Sequence, residues 1–380
     1  MSVEPGIDVF ISTGRYRRLI RERVAVLTHQ GAVSRGLDYT LDILVSKGVK
    51  PILVLTPEHG FWGAAPAGSE GLGEDVIHGV PASSVYRRSP RDVAKMLQGC
   101  DVLVVDLQNV GVRFYTYLTE LRKVLEAASI AGVEVVVLDR PNPLGGLRVE
   151  GPLLRKGMES YVAPYATPVI HGMTLGELAA MISSEEGLGL EPLVVPMKGW
   201  RRSMLFPDTG LEWVPPSPAL PHFDNAFTYP ATALFEGTNV SEGRGTYTPF
   251  RVFGAPWLRP RDVASFLQPF IHGVKLREVA FIPRSGKYSG RMCRGLYLHV
   301  VDRRAVGLFE LGLRLVEATY RLHRDFEWRE VGGRSFFDML VGDPEARKAV
   351  EGGWVSEYLA SLDDEVQEFE ERRKPFLIYS

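Results

Sequence analysis

The stretch Ile52–Gly63 reads ILVLTPEHGFWG, and it sets the first expectation for the fold. Its four leading residues are apolar, as is typical of a strand buried on both faces of a parallel sheet. Pro57 then ends the strand, and Glu58 and His59 follow on a glycine-containing turn. Because open α/β sheets bind ligands beyond the carboxyl ends of their strands, this turn predicts a site that uses Glu58. The plainer alternative is that Glu58 caps the next segment and His59 is an ordinary loop residue.

The pattern of Ile52–Leu55 recurs along the first half of the chain. Short apolar runs at Val24–Leu27, Val102–Val105 and Val133–Leu138 alternate with segments of helical periodicity. The helical segments are predicted at Asp38–Lys47, Arg91–Gln98, Thr119–Ala131 and, after the capping-box spacing Thr174-Leu-Gly-Glu177, through about Ser183. This alternation indicates βαβ units with right-handed crossovers, and hence an α/β fold with a Rossmann-like parallel sheet.

The segment Pro215–Pro221 places four prolines in PPSPALP, which is incompatible with regular helix or a central strand. We interpret it as a domain junction. The prediction is a Rossmann-like catalytic domain at residues 1–215 and a smaller α/β (α+β) domain at residues 216–380, with the active site in the cleft between them. Further elements are predicted as strands Leu193–Val195, Val279–Pro283 and Leu296–Val301 and helices Ala305–Arg324 and Val355–Arg373.

Bulk composition excludes several classes of protein. The chain has 380 residues, of which 24% are charged, with a formal net charge of −2. A nucleic-acid binder would usually carry a basic excess, and no apolar run approaches transmembrane length. The opening MSVEPGIDVF lacks the pattern of a secretion signal. We therefore expect a cytoplasmic protein with no nucleic-acid or membrane partner. A processed secreted form and the oligomeric state are left open.

Polar and ionisable residues follow each of the four apolar runs. Ordinary turns would hold mostly Gly, Ser, Asp and Asn, yet these loops add Glu, His, Gln, Arg and Tyr. Since parallel strands end at one edge of their sheet, the loops predict a common binding site there. The candidate binding residues are His59, Trp62, Asp106, Gln108, Arg113, Tyr115, Asp139, Arg140 and Asn142.

A second candidate segment, Phe235–Thr246, interleaves glycines with charged and amide side chains. This mixture is poor for both helix and strand, and it is read here as backbone held close to a ligand. The alternative is an exposed, flexible loop. Glu236 and Glu242 become candidate catalytic residues beside Glu58, and Asn239 and Arg244 become candidate binding residues.

Missing motifs narrow the chemistry. The chain has no G-x-G-x-x-G, no Walker-type loop and no G-x-S-x-G elbow, and the pairs Gly71-Leu-Gly73 and Gly243-Arg-Gly245 are weak phosphate signals. A metal site could form from His29, His59, Asp106 and Asp139, but no close ligand pairing supports it. We therefore expect no cofactor and no metal. Carboxylates, aromatics, amides and arginines instead suit a carbohydrate, and glycoside hydrolysis needs a protonated carboxyl and usually a second carboxylate.

Six motifs in one order resemble the bacterial exo-β-N-acetylmuramidase family (NamZ/YbbC-like), from about Gly6 to the terminal RRKPFLIY. The motifs are TPEHGFWG, DLQNVGVRFYTYL, LDRPNPLGG with VEGPLL, HGMTLGELA, PPSPALP and FEGTNVSEGRGTYTPFRVFGAPW. The resemblance implies release of N-acetylmuramic acid from the non-reducing end of peptidoglycan fragments during cell-wall recycling. It places the family's proposed catalytic glutamate on Glu58. The chain departs from the family pattern at His29, Asn109 and Ala219, which bears on the true substrate.

The resulting hypothesis is that Glu58 protonates the glycosidic oxygen. Glu236 or Glu242 would activate water or stabilise the oxocarbenium-like transition state, unless the sugar N-acetyl group acts as internal nucleophile. The lactyl carboxylate of muramic acid would be bound by one of three arginines, Arg113, Arg140 or Arg244. Rival hypotheses are a carbohydrate-binding or sensing protein without turnover and, third, a metal-dependent hydrolase.

Overall fold

A largely parallel sheet forms the centre of the first half in the computed structural model, which describes residues 2–68 and 76–380. The pair Gly71-Leu-Gly73 lies outside the described residues. The strands are β1 (Val24–Leu27), β2 (Pro51–Thr56), β3 (Val76–Ile77), β4 (Val80–Ser84), β5 (Val102–Val105), β6 (Glu134–Leu138) and β7 (Leu193–Val195). Their spatial order is β3-β4-β2-β1-β5-β6-β7, and every neighbouring pair is parallel except β3 with β4.

Helices cover both faces of this sheet. They are α1 (Gly6–Ser12), α2 (Thr40–Ser46), α3 (Pro90–Met96), α4 (Tyr117–Ala131) and α5 (Leu175–Glu185). Alternate residues of each strand point to opposite faces, so Val24 and Val26 pack with Phe10 of α1 and Leu44 of α2. The other face packs against α3, α4 and α5. Burial on both sides explains the continuous apolar runs, and the capping box at Thr174 is confirmed as the start of α5.

The second half combines helices with a small antiparallel sheet. Its strands are β8 (Val252–Ala255), β9 (Val274–Phe281) and β10 (Cys293–Val300), in the order β8-β10-β9, and a separate pair, β11 (Glu330–Val331) with β12 (Arg334–Ser335). Its helices are α6 (Phe223–Thr232), α7 (Pro260–Leu267), α8 (Leu308–Leu322), α9 (Phe336–Val341), α10 (Pro344–Gly352), α11 (Val355–Ala360) and α12 (Asp363–Arg373). The α/β class with a second, smaller α/β unit is confirmed.

Two sequence-based boundaries need correction. The closing helix is two helices, because the chain breaks at Ser361–Leu362 and buries the Leu362 side chain in the core. Strand β9 begins at Val274 rather than Val279, since its exposed polar residues hide the alternation. The chain through Pro215–Pro221 is irregular, and the division of the chain at residues 215 and 216 stays a prediction. Within the described residues, no helix is long and apolar enough to cross a membrane.

A fully buried arginine joins the two halves. Arg113 follows β5, and its Nη1 donates to the carbonyl oxygens of Pro152, at 3.1 Å, and Thr167. Its Nη2 donates to the carbonyl oxygens of Leu340, at 3.4 Å, and Val341 at the end of α9. Burial lowers the pKa of this guanidinium to about 9, so it remains charged at neutral pH. The side chain therefore supplies hydrogen bonds that the packed carbonyls would otherwise lack.

Replacing Arg113 with Met should lower the thermal unfolding midpoint by several degrees. Each buried carbonyl left without a donor costs about 1–3 kcal/mol. The matched control is Arg261→Met, because the Arg261 side chain is 88% exposed and its ion pair with Glu278 is on the surface. Scanning calorimetry of the three proteins makes the comparison. Equal midpoints for wild type and Arg113→Met would contradict the role of Arg113 in joining the two halves of the chain.

Candidate active site

A cavity of about 930 Å³ lies between the two halves of the chain. One wall is formed by the segments that follow β2, β4 and β5, at the carboxyl ends of these strands. A second wall comes from the segments around residues 236–250, 286–288 and 327–340. Among the described residues, the carboxylates that line the cavity are Glu58, Glu236, Glu242 and Glu327. The position agrees with the rule that parallel sheets bind ligands at this edge.

Glu58 is held by two donors and is only 6% exposed. Its Oε1 accepts a hydrogen bond from the Gly68 backbone N–H at 2.7 Å, and its Oε2 accepts one from the Thr116 hydroxyl at 2.7 Å. Within the described parts of the chain, no Lys or Arg lies within ion-pair distance of this carboxylate. Glu58 therefore sits at the cavity wall in a fixed orientation without a cationic partner.

His59 adopts the left-handed backbone conformation, with φ of 76°, which is uncommon for a residue that is not glycine. Its Nδ1 lies 2.7 Å from the Ala65 carbonyl oxygen, so Nδ1–H donates and Nε2 is left as an acceptor in the neutral ring. Burial and the nearby Arg244 lower the pKa of His59, against the opposing effect of Glu58. The residue is thus a neutral imidazole on the cavity wall at pH 7.

The second wall carries a cluster of ion pairs, formed by Glu236, Glu242, Arg244 and Lys287. The Arg244 Nε lies 2.7 Å from Glu236 Oε1 and 3.6 Å from Glu242 Oε1. The Lys287 Nζ lies 3.0 Å from Glu242 Oε2 and also donates to the Phe235 and Val240 carbonyl oxygens. Burial by itself would raise the pKa of Glu242, but Lys287 and Arg244 outweigh it and lower that pKa. Glu242 is consequently ionised at neutral pH.

The glycines Gly243 and Gly245 of the Phe235–Thr246 segment pack closely against the protein's own backbone, and the segment lines the cavity. A Cβ on Gly243 would lie 2.6 Å from the Val252 carbonyl oxygen, and one on Gly245 would lie 2.5 Å from the Ser285 nitrogen. Both glycines also have positive φ, of 82° and 78°. These close approaches are what aim Glu242 and Arg244 at the cavity.

Aromatic rings make up much of the remaining lining. They are Tyr86, Phe114, Tyr115, Tyr161, Tyr229, Phe250, Tyr288, Trp328 and Phe336. Rings of this kind offer apolar faces to the C–H faces of a sugar. Among them only Tyr115 was a sequence-based candidate. Tyr86 was missed because it follows β4, whose sequence VPASS lacks the apolar pattern, and Lys287 lies in a loop without a recognisable motif.

Asp106, which follows β5, and Asp139 and Arg140, which follow β6, are buried in hydrogen-bond networks away from the cavity. Arg140 pairs with Asp106, whose carboxylate also accepts from the Thr40 hydroxyl. Asp139 accepts from the Gly176 N–H at 2.9 Å and the Tyr379 hydroxyl at 2.6 Å, and burial raises its pKa to about 6. These side chains are occupied by partners within the protein, so they hold the strand ends together instead of lining the cavity.

Other candidate residues have similar internal partners. Gln108 donates to the carbonyl oxygens of Asn109 and Pro141, and Asn142 donates to that of Met173. Arg113 is the buried arginine that joins the two halves of the chain. None of the three lines the cavity. Asn239 does line it, yet its side chain binds the Asp325 carbonyl oxygen and the Glu327 N–H, so it fixes a loop.

Trp62 and His29 also lie outside the cavity lining. Trp62 is 45% exposed and packs edge-on against Phe61 and Tyr39. His29 is fully buried, its Nε2 accepts from the Gln108 N–H at 3.0 Å, and burial lowers its pKa to about 3. Within residues 2–68 and 76–380 no cluster of His, Cys, Asp and Glu could hold a metal ion.

Comparison with known proteins places the whole chain beside one group. Models described as Exo-beta-N-acetylmuramidase NamZ match in two parts, the N-terminal model at residues 24–224 and the C-terminal model at residues 227–379. The chain is 38% identical, over 382 residues, to the Peptidoglycan beta-N-acetylmuramidase NamZ of Bacillus subtilis, covering 99% of this chain and 91% of that protein.

Two solved structures are similar to this chain over its full length. Crystal structures of two DUF1343 family proteins from Bacteroides fragilis are each 30% identical to this chain. The first has a TM-score of 0.88 and covers 100% of both chains. The second has a TM-score of 0.78 and covers 100% of this chain and 99% of its own.

Lys287→Met should destabilise the protein at pH 7 by about 3 kcal/mol, because it leaves buried Glu242 short of a cation. Since the folded-state pKa of Glu242 is lowered, the stabilisation is present above its unfolded pKa and is lost as the pH falls through the folded value. The difference between wild type and variant should therefore narrow below about pH 4.

Urea unfolding at pH 7 and at about pH 3 measures this, with Glu242→Gln and the double variant completing a cycle. Loss of Lys287 should cost less when residue 242 is Gln. The role of the ion pair would be contradicted if the effects of the two substitutions on the free energy of unfolding were additive. It would also be contradicted if the difference between wild type and Lys287→Met did not change with pH.

Proposed function

This chain belongs to the exo-β-N-acetylmuramidase NamZ family, and on that premise we propose that it is an exo-acting glycoside hydrolase. Its substrate is a terminal, non-reducing, β-linked N-acetylmuramic acid, or a related N-acetyl amino sugar, on peptidoglycan-derived fragments. The observation that carries the proposal is the contrast between two carboxylates that line one cavity. Glu242 has two cationic partners, whereas no Lys or Arg among the described residues forms an ion pair with Glu58.

Glu58 is the proposed general acid. A carboxyl group that must be protonated before it gives its proton to the glycosidic oxygen requires surroundings without a cation. Its described hydrogen bonds come from a neutral hydroxyl and a backbone amide. Neutral His59 beside it adds no positive charge at pH 7.

Glu242 is the proposed second carboxylate. It is ionised and buried, so its negative charge acts at close range on the positive charge that develops at the anomeric carbon. Glu236 is the weaker candidate, because its side chain is 16% exposed against 4% for Glu242, and Arg244 is its one described cationic partner. We assign Glu236 the role of orienting Arg244.

The three departures from the family pattern do not change the lining of the cavity. His29 is buried beneath the strand ends, Asn109 accepts from the Val110 N–H, and Ala219 packs on the core. None of them lines the cavity that holds Glu58. Their placement supports a muramic-acid substrate for this chain, and the partner we propose is a carbohydrate.

Glu58→Gln should lower kcat on a chromogenic β-N-acetylmuramide by about 10²- to 10⁴-fold, the usual contribution of a general acid. The amide keeps the shape: its oxygen can accept from the Gly68 N–H, and its NH2 can donate to the Thr116 hydroxyl oxygen, so the unfolding midpoint should stay close to that of wild type. The matched control is Glu278→Gln, an exposed glutamate on β9 paired with Arg261.

Equal rates for Glu58→Gln and wild type would remove Glu58 from the mechanism. If wild type turns over no amino-sugar glycoside but binds these sugars, a carbohydrate-binding protein without turnover becomes the better description.

A further inference from the structure

Four cationic side chains line the cavity in the part of the chain that the structure describes, and three of them are already engaged by protein groups. Arg244 is bound to Glu236 and Glu242. Lys287 is bound to Glu242 and two backbone carbonyls. Arg329 donates to the Glu236 carbonyl oxygen at 3.4 Å and packs over the Phe336 ring. Arg244 and Lys287 are therefore paired with carboxylates of the protein, and Arg329 is held by a backbone carbonyl and a ring.

The fourth cation, Arg87, is different. No described carboxylate or backbone carbonyl accepts a hydrogen bond from its guanidinium, and its described partner is the neighbouring Tyr86, whose ring centre lies 5.2 Å from Cζ. Among the described residues, the neutral phenol ring is thus its one partner, and no carboxylate compensates its charge. Arg87 is exposed to solvent, and it lines the same cavity as Glu58.

The backbone at Arg87 gives an independent observation. Its φ is 56°, in the left-handed region that costs energy for a residue with a side chain. Strain of this kind at a site-lining residue is typical of functional positions. The turn directly follows β4, which pairs in parallel with β2, the strand that leads to Glu58. Burial raises the pKa of Tyr86, and the negative charge of Glu58 raises it further. Tyr86 and Glu58 are therefore neighbours on the same wall of the cavity.

We propose that Arg87 binds a carboxylate carried by the sugar that is released, and so determines specificity for acidic over neutral amino sugars. The inference rests on the proposed function, in which that carboxylate is the lactyl group of muramic acid. A guanidinium can bind a carboxylate through two parallel hydrogen bonds. Arg87 thereby replaces the sequence-based candidates Arg113 and Arg140, which lie outside the cavity, and Arg244, which is held by glutamates.

The test compares two glycosides that differ only in charge, a chromogenic β-N-acetylmuramide and its analogue in which the lactyl carboxylate is a carboxamide. Arg87→Met should lower kcat/KM for the acid roughly 10- to 100-fold and leave the carboxamide within about threefold. The loss should be in KM, because the contact exists in ground and transition states alike.

Two further variants control for folding and for charge. Arg87→Gly should lose the same preference while keeping or raising the unfolding midpoint, because glycine adopts positive φ without steric cost. Arg88→Met removes the adjacent arginine, which donates to the Ser84 carbonyl oxygen at 3.3 Å and does not line the cavity. It should leave both substrates unaffected.

Calorimetric titration with N-acetylmuramic acid and with N-acetylglucosamine separates this inference from the proposed function. Turnover of the muramide with equal acid preference in wild type and Arg87→Met would overturn the role of Arg87 alone. Absence of turnover together with Arg87-dependent binding of N-acetylmuramic acid would support Arg87 and overturn the hydrolase. Neither turnover nor binding of the acid sugar by wild type would overturn both.

Discussion

Two carboxyl groups that share one buried cavity must be kept in different charge states if one is to give a proton and the other is to face a developing positive charge. The fold takes the two groups from different halves of the chain and gives them different partners. Glu58 arrives on a strand-end turn and is bound by neutral donors. Glu242 arrives on a glycine-rich loop and is fixed between Lys287 and Arg244. Neither half could supply both environments, so the cavity between them is where the chemistry is possible.

The parallel sheet divides its strand ends between two tasks. The segments after β2 and β4 and part of the segment after β5 reach the cavity, whereas Asp106, directly after β5, turns inward and pairs with Arg140 after β6. Arg113, also after β5, joins this half to the second half through the carbonyl oxygens of Leu340 and Val341. Every polar group in a buried network of this kind needs a hydrogen-bond partner, because an unpaired polar group is costly at low dielectric. Its rigidity is what allows Glu58 and Glu242 to keep a fixed relation across the cavity.

The sequence predicts the parallel sheet well because strands buried on both faces leave continuous apolar runs. It also predicts Glu58, Glu236, Glu242 and Arg244 as residues of one region. It cannot distinguish Asp106, which is paired internally, from Glu58, because both are acidic residues at the end of a strand. The cavity residues Tyr86, Arg87 and Lys287 leave no motif, since they come from the weakly apolar strand β4 and a distant loop. Whether such a residue is paired inside the protein or lines the cavity depends on tertiary contacts, which the spacing of residues in the sequence does not show.

The central claim is that Glu58 and Glu242 flank the bond that is broken. The most direct measurement is a crystal structure of the Glu58→Gln variant with a bound disaccharide of N-acetylmuramic acid β-linked to N-acetylglucosamine. The account predicts the glycosidic oxygen about 3 Å from the residue 58 amide, with Glu242 on the other side of the anomeric carbon. A sugar bound outside the cavity, or one whose glycosidic oxygen is beyond hydrogen-bond reach of residue 58, would contradict it.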